Sequence, residues 1–212
     1  MKYEVLNYAC IRIEGSKVIY TDPYGLCIEP HDADFIFITH DHDKHFSIED
    51  IQKVSKPVKL TPDDGFDMDN TIVVTPESVV LLNAVQNIVL KPGASVFAFG
   101  IEIEAVPAYN IGKPCHPKEN EWLGYVITMD GVRYYIAGDT DNTPEARAVN
   151  CDVAFIPVGG THTCDVKDAA ELANAIAPSI EAVPIHYGNG VNASEVEDAF
   201  YALLKRRNRR GQ

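Results

Sequence analysis

A chain of 212 residues, 46% of them hydrophobic, is long enough for one sizeable core and fits a single domain over 1–212. Its formal net charge of −13 opposes an extended nucleic-acid surface, which needs Lys and Arg to neutralise phosphates, and leaves room for a small anionic substrate. The five cysteines (Cys10, Cys27, Cys115, Cys151 and Cys164) are odd in number and form no Cys-x-x-Cys pair. Met1-Lys2-Tyr3-Glu4 lacks an apolar signal core, and no apolar run approaches the roughly 20 residues that span a bilayer. The expectation is a soluble, cytoplasmic protein with reduced thiols and no membrane contact, of a size that leaves its oligomeric state open.

In chain order, Cys10-Ile11-Arg12-Ile13 and Lys17-Val18-Ile19-Tyr20-Thr21 flank Glu14-Gly15-Ser16 and predict a hairpin. The second strand ends at Asp22-Pro23-Tyr24-Gly25, a turn-forming stretch whose aspartate can accept backbone N–H bonds. The apolar run Phe35-Ile36-Phe37-Ile38 predicts a strand that opens into Thr39-His40-Asp41-His42-Asp43-Lys44-His45-Phe46, where three of the seven histidines fall within six residues. Strand alternation sends His40 and His42 to the same side, and a turn through Asp43 and Lys44 brings His45 back from another direction. Imidazole is the commonest protein ligand for a divalent transition metal, so this loop reads as a metal site rather than as a solvated polar loop.

Ser47 predicts the N-cap of a short helix to about Val54, stopped by Pro57. Strands are expected over 58–60, 71–74, 88–90, 95–99 and 101–106, with a short helix over 77–85 opposed by Val79, Val80 and Val85. Residues 107–121 form a loop carrying Cys115-His116-Pro117. Strands over 123–129 and 132–137 flank Asp130-Gly131, a strong hairpin signal. Then come a helix over 144–149, a strand over 153–158, a helix over 168–177 capped around Asp165, and a strand over 180–185. Ser194 is expected to cap a final helix through about Arg207. The basic run 205–210 reads as cations complementing that helix's carboxyl end, with an RNA-contacting tail as the other reading.

Asp22, His40, Asp139 in Gly138-Asp139-Thr140, and His186 in His186-Tyr187-Gly188 each follow an apolar strand at its carboxyl end. Open α/β sheets place ligands at that edge. His116 sits in a loop entering the next strand and can reach the same edge. His162, Tyr109, Tyr187 and Trp122 are candidates to contact substrate, against a plainer reading as loop packing; Cys115 and Cys164 read as inert thiols.

The histidine loop resembles the His-x-His-x-Asp-His signature of the metallo-β-lactamase superfamily, with Lys44 where that family has its aspartate. Asp-Pro-Tyr at 22–24, Thr-His-Asp-His at 39–42, Ala-Tyr-Asn at 108–110 followed by His-Pro at 116–117, Gly-Asp-Thr at 138–140 and Pro-x-His-Tyr-Gly at 184–188 extend the resemblance over nearly the whole chain. They are similar to the branch of predicted metal-dependent hydrolases and ascorbate-phosphate lactonases. The resemblance implies an α/β fold, a four-layer αββα sandwich of two mixed β-sheets flanked by helices. It implies a first metal on His40, His42 and His116, and a second on His45 and His186 with Asp139 bridging, while Asp22 braces the histidine loop. Zinc suits this donor set, as do iron or manganese, with one or two ions per chain.

The implied reaction is attack by a metal-bound hydroxide on a small anionic ester (a phosphoester, phosphodiester or lactone), with Asp139 orienting the nucleophile or taking its proton. Lys44 is expected to make the site one-metal or strongly asymmetric, its ammonium pairing with Asp139 or with the substrate's anionic oxygen. It also favours an alternative, a metal-binding protein of this fold that has lost hydrolysis. A third reading, an RNA-processing nuclease, rests on the basic tail and is opposed by the acidic balance.

Overall fold

The computed structural model describes residues 2–58, 70–79, 86–188 and 191–205, and the chain divides into two compact units, 1–91 and 92–212. The first unit holds β1 (Lys2–Asn7), β2 (Cys10–Glu14), β3 (Val18–Thr21), β4 (Phe35–Phe37), α1 (Ile48–Val54), β5 (Ile72–Pro76) and β6 (Gln86–Leu90). Its six strands lie side by side in chain order, antiparallel from β1 to β3 and parallel from β3 to β6. The expected hairpin is β2–β3, in the register Ile13↔Ile19. Strands β4 and β5 are buried at every position, as inner parallel strands require, which is why they open with the apolar runs Phe35-Ile36-Phe37 and Ile72-Val73-Val74.

Ile51 and Val54 of α1 pack with Tyr20, Ile36, Ile38 and Val73, so the helix covers one face of this sheet. Ser47 caps α1 as expected, its hydroxyl accepting from Asp50 N at 3.2 Å. Asp50 in turn accepts from Gly25 N at 2.8 Å and Leu26 N at 3.0 Å, tying the start of α1 to the loop after β3. Of the strand expected over 58–60, Val58 is exposed and unpaired with any strand, and 59–60 lie outside the described residues. Of the helix expected over 77–85, residues 77–79 instead form a turn closed by Val79 N on Pro76 O, and the rest lies outside the described residues.

The second unit holds β7 (Ser95–Ala98), β8 (Ile101–Pro107), β9 (Leu123–Met129), β10 (Val132–Ile136), α2 (Pro144–Arg147), β11 (Val153–Pro157), α3 (Val166–Ile176), β12 (Glu181–Ile185) and α4 (Ala193–Leu203). Its sheet again follows chain order, antiparallel from β7 to β10 and parallel from β10 to β12. Asp130 (φ 52°) and Gly131 (φ 77°) take the two left-handed positions that a two-residue type I′ hairpin requires. One face of α3, made of Ala169, Ala170, Leu172, Ala173 and Ile176, packs in one core with Ala154, Ile156 and Ala182 of the sheet and Phe200 of α4.

The last helix corrects the sequence expectation at both ends. Its cap is Asn192, whose side-chain oxygen accepts from Ser194 N at 3.2 Å, so Ser194 lies inside the first turn. It stops at Leu203 because Asn174 of α3 donates to Leu203 O at 3.1 Å and accepts from Lys205 N at 2.8 Å. The basic residues beyond Lys205 lie outside the described residues. Among the described residues the first unit therefore presents one mixed sheet with one helix and the second one mixed sheet with three, and no helix is long and apolar enough to cross a membrane.

Candidate functional site

In the first unit the chemistry gathers where β3 and β4, parallel neighbours, end. Asp22 follows β3 directly, with φ at 40°, a left-handed conformation that costs a non-glycine residue about 1–3 kcal/mol and tends to persist where function holds it. Three contacts hold it. Its buried carboxylate accepts from Thr39 N at 2.8 Å and Thr39 Oγ1 at 2.7 Å, and meets His45 Nδ1 at 2.7 Å.

These contacts fix the imidazole tautomers. A carboxylate only accepts, so His45 carries its proton on Nδ1 and presents the Nε2 lone pair. The Thr39 hydroxyl has one hydrogen, given to Asp22, so its 2.9 Å contact with His40 Nδ1 is donated by the ring, and His40 too presents Nε2. His40 Nε2 lies 3.1 Å from His42 Nδ1. Two nitrogens bound tetrahedrally to one zinc at its usual bond length stand about 3.3 Å apart, so the pair fits one ion with little movement. The His40 and His45 rings lie 4.0 Å apart, centre to centre. The turn predicted through Asp43 and Lys44 is present: His45 N and Phe46 N both bond to His42 O.

Lys44 does not extend freely into water. It is half-buried, and its ammonium lies 4.7 Å from the ring centre of Tyr8, a residue of the β1–β2 turn whose edge also packs on His45 at 5.8 Å. Lys44 and His45 thus share one aromatic support.

In the second unit, Asp139 lies three residues past β10, and His186 directly follows β12 with φ at 55°. The buried Asp139 carboxylate brings Oδ1 within 3.1 Å of His186 Nε2 and Oδ2 within 3.3 Å of His116 Nε2. His116 Nδ1 donates to Asn110 Oδ1 at 3.0 Å, so its Nε2 turns a lone pair toward a carboxylate oxygen. The 3.3 Å between Nε2 and the carboxylate oxygen again matches the roughly 3.3 Å spacing of two ligands on one tetrahedral ion. By donor chemistry, then, the residues of each unit fit a divalent metal.

The supports around this second set are local. Asn110 N bonds to His116 O at 2.8 Å, and Lys113 Nζ ties the loop to Asp141 Oδ1 at 2.6 Å and Thr163 O at 2.7 Å. Gly159 leaves room for His186: a Cβ there would stand 2.9 Å from both Nδ1 and O of that histidine. His162 is exposed, its ring 6.2 Å from that of His116. The Tyr187 hydroxyl bonds to Pro184 O and Glu197, which seats α4 on the sheet. Tyr109 gives its hydroxyl to Glu145 and, with Trp122, lines a pocket of about 430 Å³.

The five cysteines form no disulfide; burial pushes the Cys10 and Cys164 thiols well up and that of Cys151 up to about 12, which keeps these three inert. Four residues that matter here escaped the sequence reading: Thr39, Asn110, Tyr8 and Gly159. Thr39 and Asn110 lie inside the motifs that drew attention to the histidines, and only their bonds reveal their roles.

Comparison with known proteins gives the family. A family model described as the beta-lactamase superfamily domain matches residues 3–186. A UPF0173 metal-dependent hydrolase of Thermococcus onnurineus is 30% identical over 207 residues, 88% of this chain and 84% of the relative. One of Methanosphaerula palustris is 29% identical over 212 residues, 94% and 89% of the two chains. A crystal structure from Parabacteroides distasonis, described as a metal-dependent hydrolase, is 30% identical and aligns with a TM-score of 0.75 over 98% of this chain and 91% of its own. Igni18, a metallo hydrolase of Ignicoccus hospitalis, aligns at 0.71 and 19% identity over 99% and 95%, a likeness of fold. Two mixed sheets flanked by helices are the α/β sandwich class that these relatives share. With its histidine loop, its buried aspartate and these relatives, the chain belongs to the metallo-β-lactamase superfamily, among the UPF0173 metal-dependent hydrolases.

Proposed function

We propose that this metal-dependent hydrolase cleaves a small anionic ester: a phosphoester, a phosphodiester or a lactone. The observation that carries the reading is the setting of the imidazole tautomers. Asp22, Thr39 and Asn110 accept from Nδ1 of His45, His40 and His116, so each ring is oriented to ligate through Nε2. Following the superfamily pattern, His40, His42 and His116 would hold a first ion, and His45, His186 and Asp139 would serve a second. Zinc suits this nitrogen-rich set, with iron or manganese as alternatives.

When bound, a divalent metal lowers the pKa of water to about 7 and polarises the oxygen of the bond under attack. The chain supplies the rest. Asp139 orients the nucleophile and takes its proton, being the carboxylate set between His116 and His186. Lys44 brings positive charge where the signature has an aspartate. With one divalent ion, Lys44 and Asp139, the centre carries a net charge of about +2, which draws an anionic substrate.

The test is turnover by metal-loaded protein on a panel of lactones, phosphodiesters and phosphomonoesters. At least one class should be hydrolysed, and activity should vanish with a chelator. Silence across all three would sink the substrate assignment.

A further inference from the structure

We propose that the pocket beside His116 is a recognition subsite for an uncharged planar group, carried on the leaving-alcohol side of the ester; this rests on the hydrolase reading above. The pocket, of about 430 Å³, falls within the roughly 300–1,000 Å³ range of small-molecule sites and has room for an aromatic ring and its link to the ester. It is built from Pro92 and from the loop joining β8 to β9, the same loop that carries Asn110 and His116. The link to the site is direct, since the Trp122 ring packs edge-on against His116 with centres 5.2 Å apart.

The lining selects by shape and charge. Pro92, Pro107, Tyr109 and Trp122 offer flat apolar faces, against which a planar group packs better than a puckered one. Lys118 also lines the pocket, but its ammonium is 2.6 Å from Glu145 and 4.6 Å over the Tyr109 ring, so its charge is already answered. The exposed carboxylates of Glu119 and Glu121 leave the rim negative. An anionic end is repelled there, which directs the substrate to enter the pocket by its uncharged group. The walls are set in advance: Ala108 N bonds to Trp122 O at 2.9 Å, Tyr109 O accepts from Asp141 N at 2.9 Å, and Glu121, at φ 53°, closes the turn over 118–120.

Trp122 is the single tryptophan of the chain, so its fluorescence reports occupancy without any need for turnover. Titrating the metal-loaded protein with benzyl alcohol should give a saturable change in emission. Cyclohexylmethanol, which is not planar, should bind about tenfold more weakly, and Tyr109→Ala should weaken benzyl alcohol by about tenfold. In turnover, benzyl esters should exceed methyl esters of the same acid by about tenfold in kcat/KM, a preference lost in Tyr109→Ala. No saturable response, or cyclohexylmethanol binding as well as benzyl alcohol, would overturn the subsite. Saturable, planar-selective binding without turnover of any ester would leave the subsite standing and remove the hydrolase reading on which its leaving-group role depends.

Discussion

Thr39 shows how much of the site turns on single hydrogens. Its one hydroxyl proton goes to Asp22, and that choice obliges His40 to donate from Nδ1 and offer Nε2 outward. Asn110 does the same for His116. Removing such an orienting partner weakens metal binding by about 10–100-fold, so Asn110→Ala should raise the zinc dissociation constant by that factor while leaving the thermal midpoint of the metal-free protein within a few degrees. Equilibrium dialysis against a zinc buffer reads the first and a melt the second.

Lys44 carries the sharper prediction. The superfamily's aspartate at this place donates an anionic oxygen to a second ion, whereas an ammonium cannot coordinate and repels a cation. Here the ammonium rests on Tyr8, an interaction of about 0.5–2 kcal/mol. Calorimetric titration with zinc should show one tight equivalent per chain for the natural protein and two for Lys44→Asp. Two tight equivalents without the substitution would remove the asymmetric-site idea.

Among the elements, strand ends were the most legible feature of the sequence. Apolar runs followed by Asp22, His40, Asp139 and His186 mark the ends of β3, β4, β10 and β12, because the last three positions of each strand are buried. Helix α4 was less legible. Asn192 and Ser194 are both good caps, and the chain stops because of Asn174, a partner 31 residues before Lys205. No local pattern carries that information.

Gly159 belongs to the same class of long-range facts, since its neighbour is the ring of His186, 27 positions away in the chain. Gly159→Ala must push that histidine aside, so it should weaken metal binding by about 10–100-fold. Spectra of the cobalt-substituted variant should report a changed ligand set. An unaltered spectrum and affinity would place His186 outside the metal's ligands.

The joint between α1 and the loop after β3 has a pH signature. Burial pushes the Asp50 carboxyl up, but Ser47, Leu26, Lys53 and Gly25 donate to it and together hold it below its ordinary value. A carboxyl depressed on folding adds stability that is present above its unfolded pKa of about 3.9 and is lost as pH falls through the lower folded value. Thermal midpoints of the natural protein should therefore fall more steeply below about pH 4 than those of Asp50→Asn, which should itself cost about 1–3 kcal/mol at neutral pH. Parallel slopes would show that the carboxylate is not what fastens this joint.

For the whole molecule, the same strand plan appears twice, antiparallel strands first and parallel strands after, in a sheet of six strands each time. The sequence gives the order of nearly all elements through the hairpins and the alternation of helix with strand, and the two mixed sheets through the family resemblance. Spacing and position at strand ends single out the histidines and aspartates, and the family resemblance assigns their roles. The partners that orient them were hidden, because an asparagine or threonine in a loop looks the same whether it holds a ligand or a water. The acidic balance of −13 fits a protein whose positive charge is concentrated at a metal rather than spread over a nucleic-acid surface.

The central claim is that the site histidines and Asp139 hold a divalent ion. Elemental analysis of the purified full-length protein, equilibrated with zinc and then separated from free ion, tests it most directly. The account predicts about one retained zinc per chain, falling in His42→Ala and to the same extent in His116→Ala. Protein that emerges folded and with no bound metal would contradict it.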